Sequence, residues 1–370
     1  MVLVGAATAF SLLGDQALYS VLPVYYDSLG LTAIQVGILL SANRWIRLLS
    51  NNLAHRLSDS VSPARRRWLF VVAFGVGAAT TLAYGLTTTF SLLLVARLAW
   101  GVSWSFIRHL GVQTIMSGGA EQVPGRTMGL YNGISRAGSV AGLLGGALLV
   151  DLLGFQPGLI CLAAVSLASL PLAMAGHRAD RPLADAGDES LPVSLKIGGF
   201  AVGIVGPGFV MSTLGAALGA YQDRPGLLTA ATLTGLLLGS RYAMDAFAAA
   251  WLGGLTDRFG IERGASAYFG LGGVALVLAA LGPPLVSFMG LVVIFFVCGT
   301  GLQAGLAGTA SRIGPGAFAR YVTLSDLGSA TGPLVGWLVV GWLDNPLFSV
   351  GLGGAVFLTV GLFTFRTRSG

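Results

Sequence analysis

Nine charged side chains stand inside long apolar runs of this chain: Arg44, Arg47, Arg97, Arg108, Arg136 and Arg241, with Asp15, Asp245 and Asp326. Two chemistries suit such residues. A guanidinium presents a rigid, permanently charged donor fork that matches a carboxylate or phosphate. Arg44, Arg108, Arg136 and Arg241 are therefore candidates to clamp an anion, with Trp104 on the Arg108 stripe and Tyr19 on the Asp15 stripe as further candidates to bind substrate. A carboxyl group set near a guanidinium has its proton affinity tuned by that charge, which makes Asp15, Arg97 and Asp245 candidate proton-handling groups. Six arginines against three aspartates leave three positive charges in excess, a balance that favours an anionic or zwitterionic ligand.

Helical spacing gathers these groups into stripes. Arg44, Arg47, Asn51 and His55 recur at steps of three and four, as do Arg97, Gly101, Trp104 and Arg108; Ser11, Asp15 and Tyr19 form a third stripe, and Asn132, Ser135, Arg136 and Ser139 a fourth. Each has a plainer alternative. Arg241 and Asp245, four apart, can neutralise one another; Arg47 and Arg108 can snorkel toward water; Asp326 can pair with a neighbouring donor. Trp100, off the arginine stripe, reads as packing.

The elements that carry these residues follow from composition. Hydrophobic residues make up 54% of the 370 and charged residues 10%, with a mean hydropathy of +0.80; soluble proteins carry about a quarter charged residues. The chain belongs in a bilayer. A spanning helix needs about 20 apolar residues, so this length holds roughly a dozen spans and leaves no room for a separate globular enzyme domain. The 56 glycines read as close-packing positions between membrane helices. Cys161 and Cys298, both in apolar runs, read as buried thiols without a disulfide framework. The net charge of +6 is scattered between apolar segments and forms no continuous basic face, which argues against nucleic acid as a partner. The first apolar run is long, carries Asp15 and has no basic leader, so it reads as a retained span, with a native N-terminal tail missing.

Apolar runs and their punctuation place spans near 3–24, 33–54, 68–86, 90–116, 128–150, 154–175, 197–220, 228–252, 265–283, 286–311, 321–342 and 346–365. With both termini cytoplasmic, the inner segments collect fourteen basic residues, Arg65 to Arg67, Lys196, Arg258 and Arg312 among them, and the outer loops hold Arg224 alone. That asymmetry is the signature of orientation in short loops. Gly206-Pro207-Gly208 interrupts the seventh span and reads as a break that serves an extracellular gate. The one long polar stretch, 177–195, reads as a cytoplasmic linker between an N-terminal bundle, 1–176, and a C-terminal bundle, 196–370. The halves repeat: Gly253-Gly254-Leu255-Thr256-Asp257-Arg258-Phe259-Gly260 matches Asn51 to Ser58, and Gly138-x-x-x-Gly142 matches Gly328-x-x-x-Gly332-Pro333.

Residues 253–263 resemble the loop signature of the major facilitator superfamily of secondary transporters, and the resemblance covers essentially the whole chain. The first-half copy keeps Leu53, Ala54 and Arg56, but has Asn51 and Ser58 in place of glycines and His55 in place of the aspartate. Arg97-x-x-x-Gly101 is similar to the family's fourth-helix arginine motif. Asp15 followed by Pro23 looks like the aspartate-to-proline motif of its drug exporters, one residue short, and the antiporter glycine-proline motif expected in the fifth span appears instead in the eleventh.

The resemblance implies an all-α membrane protein of twelve transmembrane helices in two pseudo-symmetric six-helix bundles, multi-pass in a bacterial inner membrane. It also implies substrate bound midway between the bundles, alternating access, no cofactor and a monomer. Asp257, Arg258, Gly253, Gly260, Gly332 and Pro333 become candidate gating residues, with a well-capped insertion turn as the plainer alternative for Asp257 and Arg258. Two transport readings follow. Either Asp15 or Asp245 cycles a proton, tuned by Arg97 or Arg241, or the arginines clamp an organic anion; a proton-coupled exporter of a small organic anion or drug combines them. A uniporter, importer or exchanger of an organic anion competes, and a receptor-like membrane protein is the remote alternative. Catalysis is disfavoured, because metal-ligand spacing and a phosphate loop are missing and His55, His109 and His177 stand far apart in the sequence.

Overall fold

The computed structural model describes residues 1–117, 124–176, 188–221 and 228–364, without the side chains at 59, 116–117, 124–127 and 257. Among the described residues every element is helical. The first half comprises α1 (Val2–Tyr25), α2 (Ala33–Ser60), α3 (Pro63–Leu86), α4 (Phe90–Ser117) and α5 (Pro124–Leu153), then a rod broken into α6 (Phe155–Ser166) and α7 (Ser169–Gly176). The second half opens with α8 (Val193–Gly203), a π-helical stretch (Ile204–Val210) and α9 (Met211–Gly219). It continues with α10 (Ala230–Phe247) and α11 (Ala249–Phe259), α12 (Ile261–Ala280), α13 (Leu285–Ile313), α14 (Pro315–Leu343) and α15 (Pro346–Thr364).

Nine of these rods, counted among the described residues, are long and apolar enough to cross a membrane by themselves. The other three are α2, α10 with α11, and α14. They are long enough, but they carry the intramembrane charges Arg44, Arg47, Arg241, Asp245 and Asp326, which lower their hydropathy. The total is consistent with the twelve spans read from the sequence.

Local chemistry explains the boundaries. Pro63 and Pro315 stand in the first turn of α3 and α14, where a missing N–H costs nothing. The corner between α11 and α12 turns on Gly260 at φ 82°, a conformation most other residues adopt only under strain. In the seventh rod Pro207 removes a helical hydrogen bond, and the backbone accommodates it by widening to π-helix over Ile204–Val210. The break foreseen at Gly206-Pro207-Gly208 is thus a wound stretch within one continuous rod.

The chain forms two compact units. One holds Met1–Leu31, Ala42–Ala184 and Thr234–Gly239; the other holds Thr32–Ser41, Asp185–Leu233 and Ser240–Gly370. In the first, α1 lies against α5 because Gly138 and Gly142 let its backbone pass over Ala9 and Leu13. In the second, the rod of α8 lies against α14 because Gly328 and Gly332 admit Phe200, Ile204 and Gly208. A side chain at any of these four glycines would meet backbone, so small residues decide where the helices touch. The two packings repeat each other inside their own units.

Phe70, Phe74, Trp100, Ile107, Leu110 and Tyr131 form the apolar core of the first unit, and Trp100 belongs to it as the sequence suggested. One cysteine departs from expectation: Cys298 is buried, but Cys161 is exposed on α6. An apolar run marks a helix face for lipid as readily as for the core, so composition alone misplaces Cys161.

Candidate functional site

Asp15 is the centre of the polar cluster in the first unit. It lies midway along α1, where Ser11, Asp15 and Tyr19 are all buried. The Arg97 guanidinium on α4 donates to Asp15 Oδ1 at 2.5 Å, and the two side chains are 1% and 6% exposed. Asn43 Nδ2 on α2 donates to the same oxygen at 3.1 Å, and Gln16 Nε2 to Oδ2 at 3.0 Å. Gly101, one turn along α4 from Arg97, makes this possible: it packs against Asn43 and Ile46, drawing α2 and α4 close enough for both to reach one carboxylate.

Aromatic rings complete the shell. Two guanidiniums lie over the Tyr19 ring, Arg44 5.2 Å and Arg97 5.8 Å from its centre, and Arg97 also lies 5.9 Å from the centre of Tyr84. Desolvated cation–π contacts of this kind stabilise a buried cation in addition to its ion pair. The structure thus brings together Asp15, Tyr19, Arg44 and Arg97. Asn43 and Gln16 were missed in the sequence; an uncharged amide next to an acid carries no spacing signal.

The other candidates of this unit stand elsewhere. Trp104 is half-buried, 5.9 Å from Trp100. Arg108 is exposed, eleven residues and about 16 Å of helix rise beyond Arg97. Arg136 is half-buried on α5, where the hydroxyls of Ser135 and Ser139 donate to carbonyls of their own helix. Between α2 and α4, Ser105 bonds Ser50 at 2.7 Å and donates to Asn51 Oδ1 at 2.8 Å, and the His55 and His109 rings meet edge-on at 5.4 Å. These two histidines, remote in sequence, are neighbours in space, because α2 and α4 run side by side in the same direction, which brings the C-terminal end of α2 beside that of α4. His177 lies outside the described residues.

The second unit has its own charged pair, arranged otherwise. Arg241 and Asp245 are one turn apart on α10, yet no ion pair joins them among the described residues. Arg241 turns its guanidinium to Met211 Sδ at 2.8 Å and lies 5.5 Å from the Tyr242 ring centre. Asp245 Oδ1 accepts a hydrogen bond from Thr300 on α13 at 2.7 Å, while Oδ2 is buried with no donor among the described residues.

Among the gating candidates, Gly253 packs against Ala304, Gly260 supplies the turn, Arg258 is exposed, Gly332 meets the π-helical stretch, and Pro333 lies inside α14. The Asp257 side chain lies outside the described residues. One further contact had no sequence signal. Glu189 Oε2, from the end of the expected linker, accepts the Gly316 N–H at 2.8 Å at the start of α14, and Asp188 pairs with Arg320 at 2.5 Å.

Comparison with known proteins agrees with this architecture. No curated protein sequence matches the chain. A bacterial homologue of the human lysosomal transporter Spinster, inward-facing and occupied, superposes with a TM-score of 0.81 at 14% identity, covering 98% of this chain and 94% of that one. The nucleoside transporter NupG gives 0.73 at 14% identity with both chains fully covered. The human organic anion transporter MFSD10 gives 0.69 at 16% identity over 98% of each chain. At such identities the likeness is one of fold. The sequence profile of the Major Facilitator Superfamily matches residues 4–333, spanning both glycine-packed helix pairs and both buried charge sites, and this multi-pass membrane protein belongs to that superfamily of transporters.

Proposed function

We propose that the protein is a secondary active transporter that works by alternating access and exports a small organic anion or drug in exchange for protons. The observation that carries the reading is the divergence of Arg241 and Asp245, each turned to a neutral partner. A permanent cation inside a spanning helix, met by a thioether and a ring and by no carboxylate among the described residues, is costly in a bilayer unless something neutralises it. An anionic substrate would do so. A neighbouring acid, with no ion pair among the described residues, supplies the second half of an exchange.

In the first unit, Arg44 beside Tyr19 extends the same chemistry, with Arg108, Arg136 and Trp104 as further substrate contacts. Gly253, Asp257, Arg258, Gly260, Gly332 and Pro333 serve as gating positions. We further propose an N-terminal bundle over 1–176, a linker over 177–195 and a C-terminal bundle over 196–370. The protein is proposed to act as a monomer in a bacterial inner membrane, with both termini cytoplasmic.

The test is transport by purified protein in liposomes. Small carboxylates, phosphates and drugs that raise its Tm are offered under a pH gradient of either direction, since a bound ligand stabilises by mass action. Accumulation of an anion against its gradient, driven by protons moving the opposite way, supports the reading. Movement indifferent to pH identifies a uniporter or anion exchanger, co-movement with protons an importer, and either result overturns the proposal.

A further inference from the structure

Resting on the proton-coupled reading above, we propose that the coupling proton is carried by Asp245, hydrogen-bonded to Thr300, and that Asp15 is a fixed counter-ion. The two carboxylates differ in what a proton would disturb. Both oxygens of Asp15 are engaged, Oδ1 by Arg97 and Asn43 and Oδ2 by Gln16. Arg97 is 1% exposed and holds its charge permanently. Neutralising Asp15 would strand a buried guanidinium beside an uncharged acid, the costly way to break such a pair. Asp15 therefore holds α1, α2 and α4 together throughout the cycle.

At Asp245 a proton strands nothing. Oδ1 accepts from Thr300, and Oδ2 is buried with no donor among the described residues. An ionised carboxylate only accepts hydrogen bonds, whereas the protonated acid brings its own donor. Adding a proton thus removes a charge from a buried oxygen that no donor satisfies. The Thr300 hydroxyl can donate to either form by rotating, so the site survives both states. Other charged and titratable groups stand on α10 itself and on neighbouring helices. On α10 itself, Arg241 is turned to Met211 on α9. On α12, Tyr268 donates to the Leu252 carbonyl of α11. Cys298 is buried on α13 two residues from Thr300, and Arg258 is exposed on α11.

The proton itself is the probe. Full-length protein in lipid is titrated and followed by infrared difference spectroscopy in the region of the protonated carboxyl stretch. The wild type gains a carboxylic acid band as pH falls. Asp245→Asn loses that band and Asp15→Asn keeps it, while Thr300→Val, which leaves the acid in place and removes its partner, shifts the band without abolishing it. Because an asparagine variant can fail to fold, Asp245→Glu is the control, and it retains a displaced band. A band lost in Asp15→Asn and kept in Asp245→Asn overturns this assignment while leaving proton coupling intact. The absence of any substrate-linked proton movement in wild-type proteoliposomes overturns the coupled reading itself.

Discussion

Asp15 and Arg97, 82 residues apart in the chain, meet at 2.5 Å in the interior of the first unit. Desolvating two charges costs nearly as much as their attraction returns, so such a pair adds little net stability, but removing one partner is strongly destabilising. Replacing Arg97 by Met, similar in length and uncharged, leaves Asp15 buried with amide donors alone. The expected loss is about 3–5 kcal/mol, read as a lowered midpoint of thermal unfolding in detergent. Asp15→Asn with Arg97→Met together should recover part of it. A loss in the double variant equal to the sum of the two single losses would mean that the pair is not coupled.

Gly142 and Gly332 occupy matching places in their units, each with helix backbone where a side chain would begin. Overpacking of a filled contact costs about 1–3 kcal/mol. Gly142→Ala and Gly332→Ala should therefore each lower stability by a similar amount, whereas Gly129→Ala, where a Cβ meets open space, should be neutral or mildly stabilising. Thermal unfolding of the three variants side by side checks the duplication energetically.

Glu189 caps the first turn of α14 from outside the helix, at 2.8 Å from the Gly316 N–H. Loss of a helix cap costs about 0.5–2 kcal/mol, and Glu189→Ala should show it in chemical unfolding of the purified protein. Asp188→Ala, which removes only an exposed ion pair with Arg320, should change nothing measurable. If Asp188 proves the costlier of the two, the contact holds by charge and not by capping.

How far the sequence foretold this arrangement depends on the kind of signal. Spans, glycine pairs and the unusual seventh rod were legible because each is written in local residue type: apolar length, Gly-x-x-x-Gly, and Gly-Pro-Gly. The partners of Asp15 were not. Asn43 reaches it only through the tertiary approach of α2 to α1, Gln16 is its neighbour in the chain, and a single amide leaves no period to detect. Local spacing also misled. Arg241 and Asp245 stand at the separation that favours an ion pair on an isolated helix, but Met211 and Thr300 on other helices offer competing partners. His55 and His109, far apart in sequence, meet because two long helices run side by side.

Of the proposed substrate contacts, Arg241 is the one whose loss should be easiest to read. An anion whose binding raises the Tm of the wild type should bind Arg241→Ala at least tenfold more weakly, since a charge-assisted hydrogen bond contributes about 1.5–3 kcal/mol. Titration calorimetry with that anion decides. Arg241→Lys should recover only part of the affinity, because an ammonium lacks the planar fork. Unchanged affinity in Arg241→Ala would remove this residue from the site.

The most direct test of proton-coupled export records proton movement in proteoliposomes loaded with a pH-reporting dye while a Tm-raising anion is added to one side. The account predicts that each addition drives protons opposite to the anion in wild-type protein. It predicts that Asp245→Asn still exchanges labelled for unlabelled anion while moving no protons. Anion transport with no accompanying proton signal in the wild type, or an undiminished proton signal in Asp245→Asn, would contradict it.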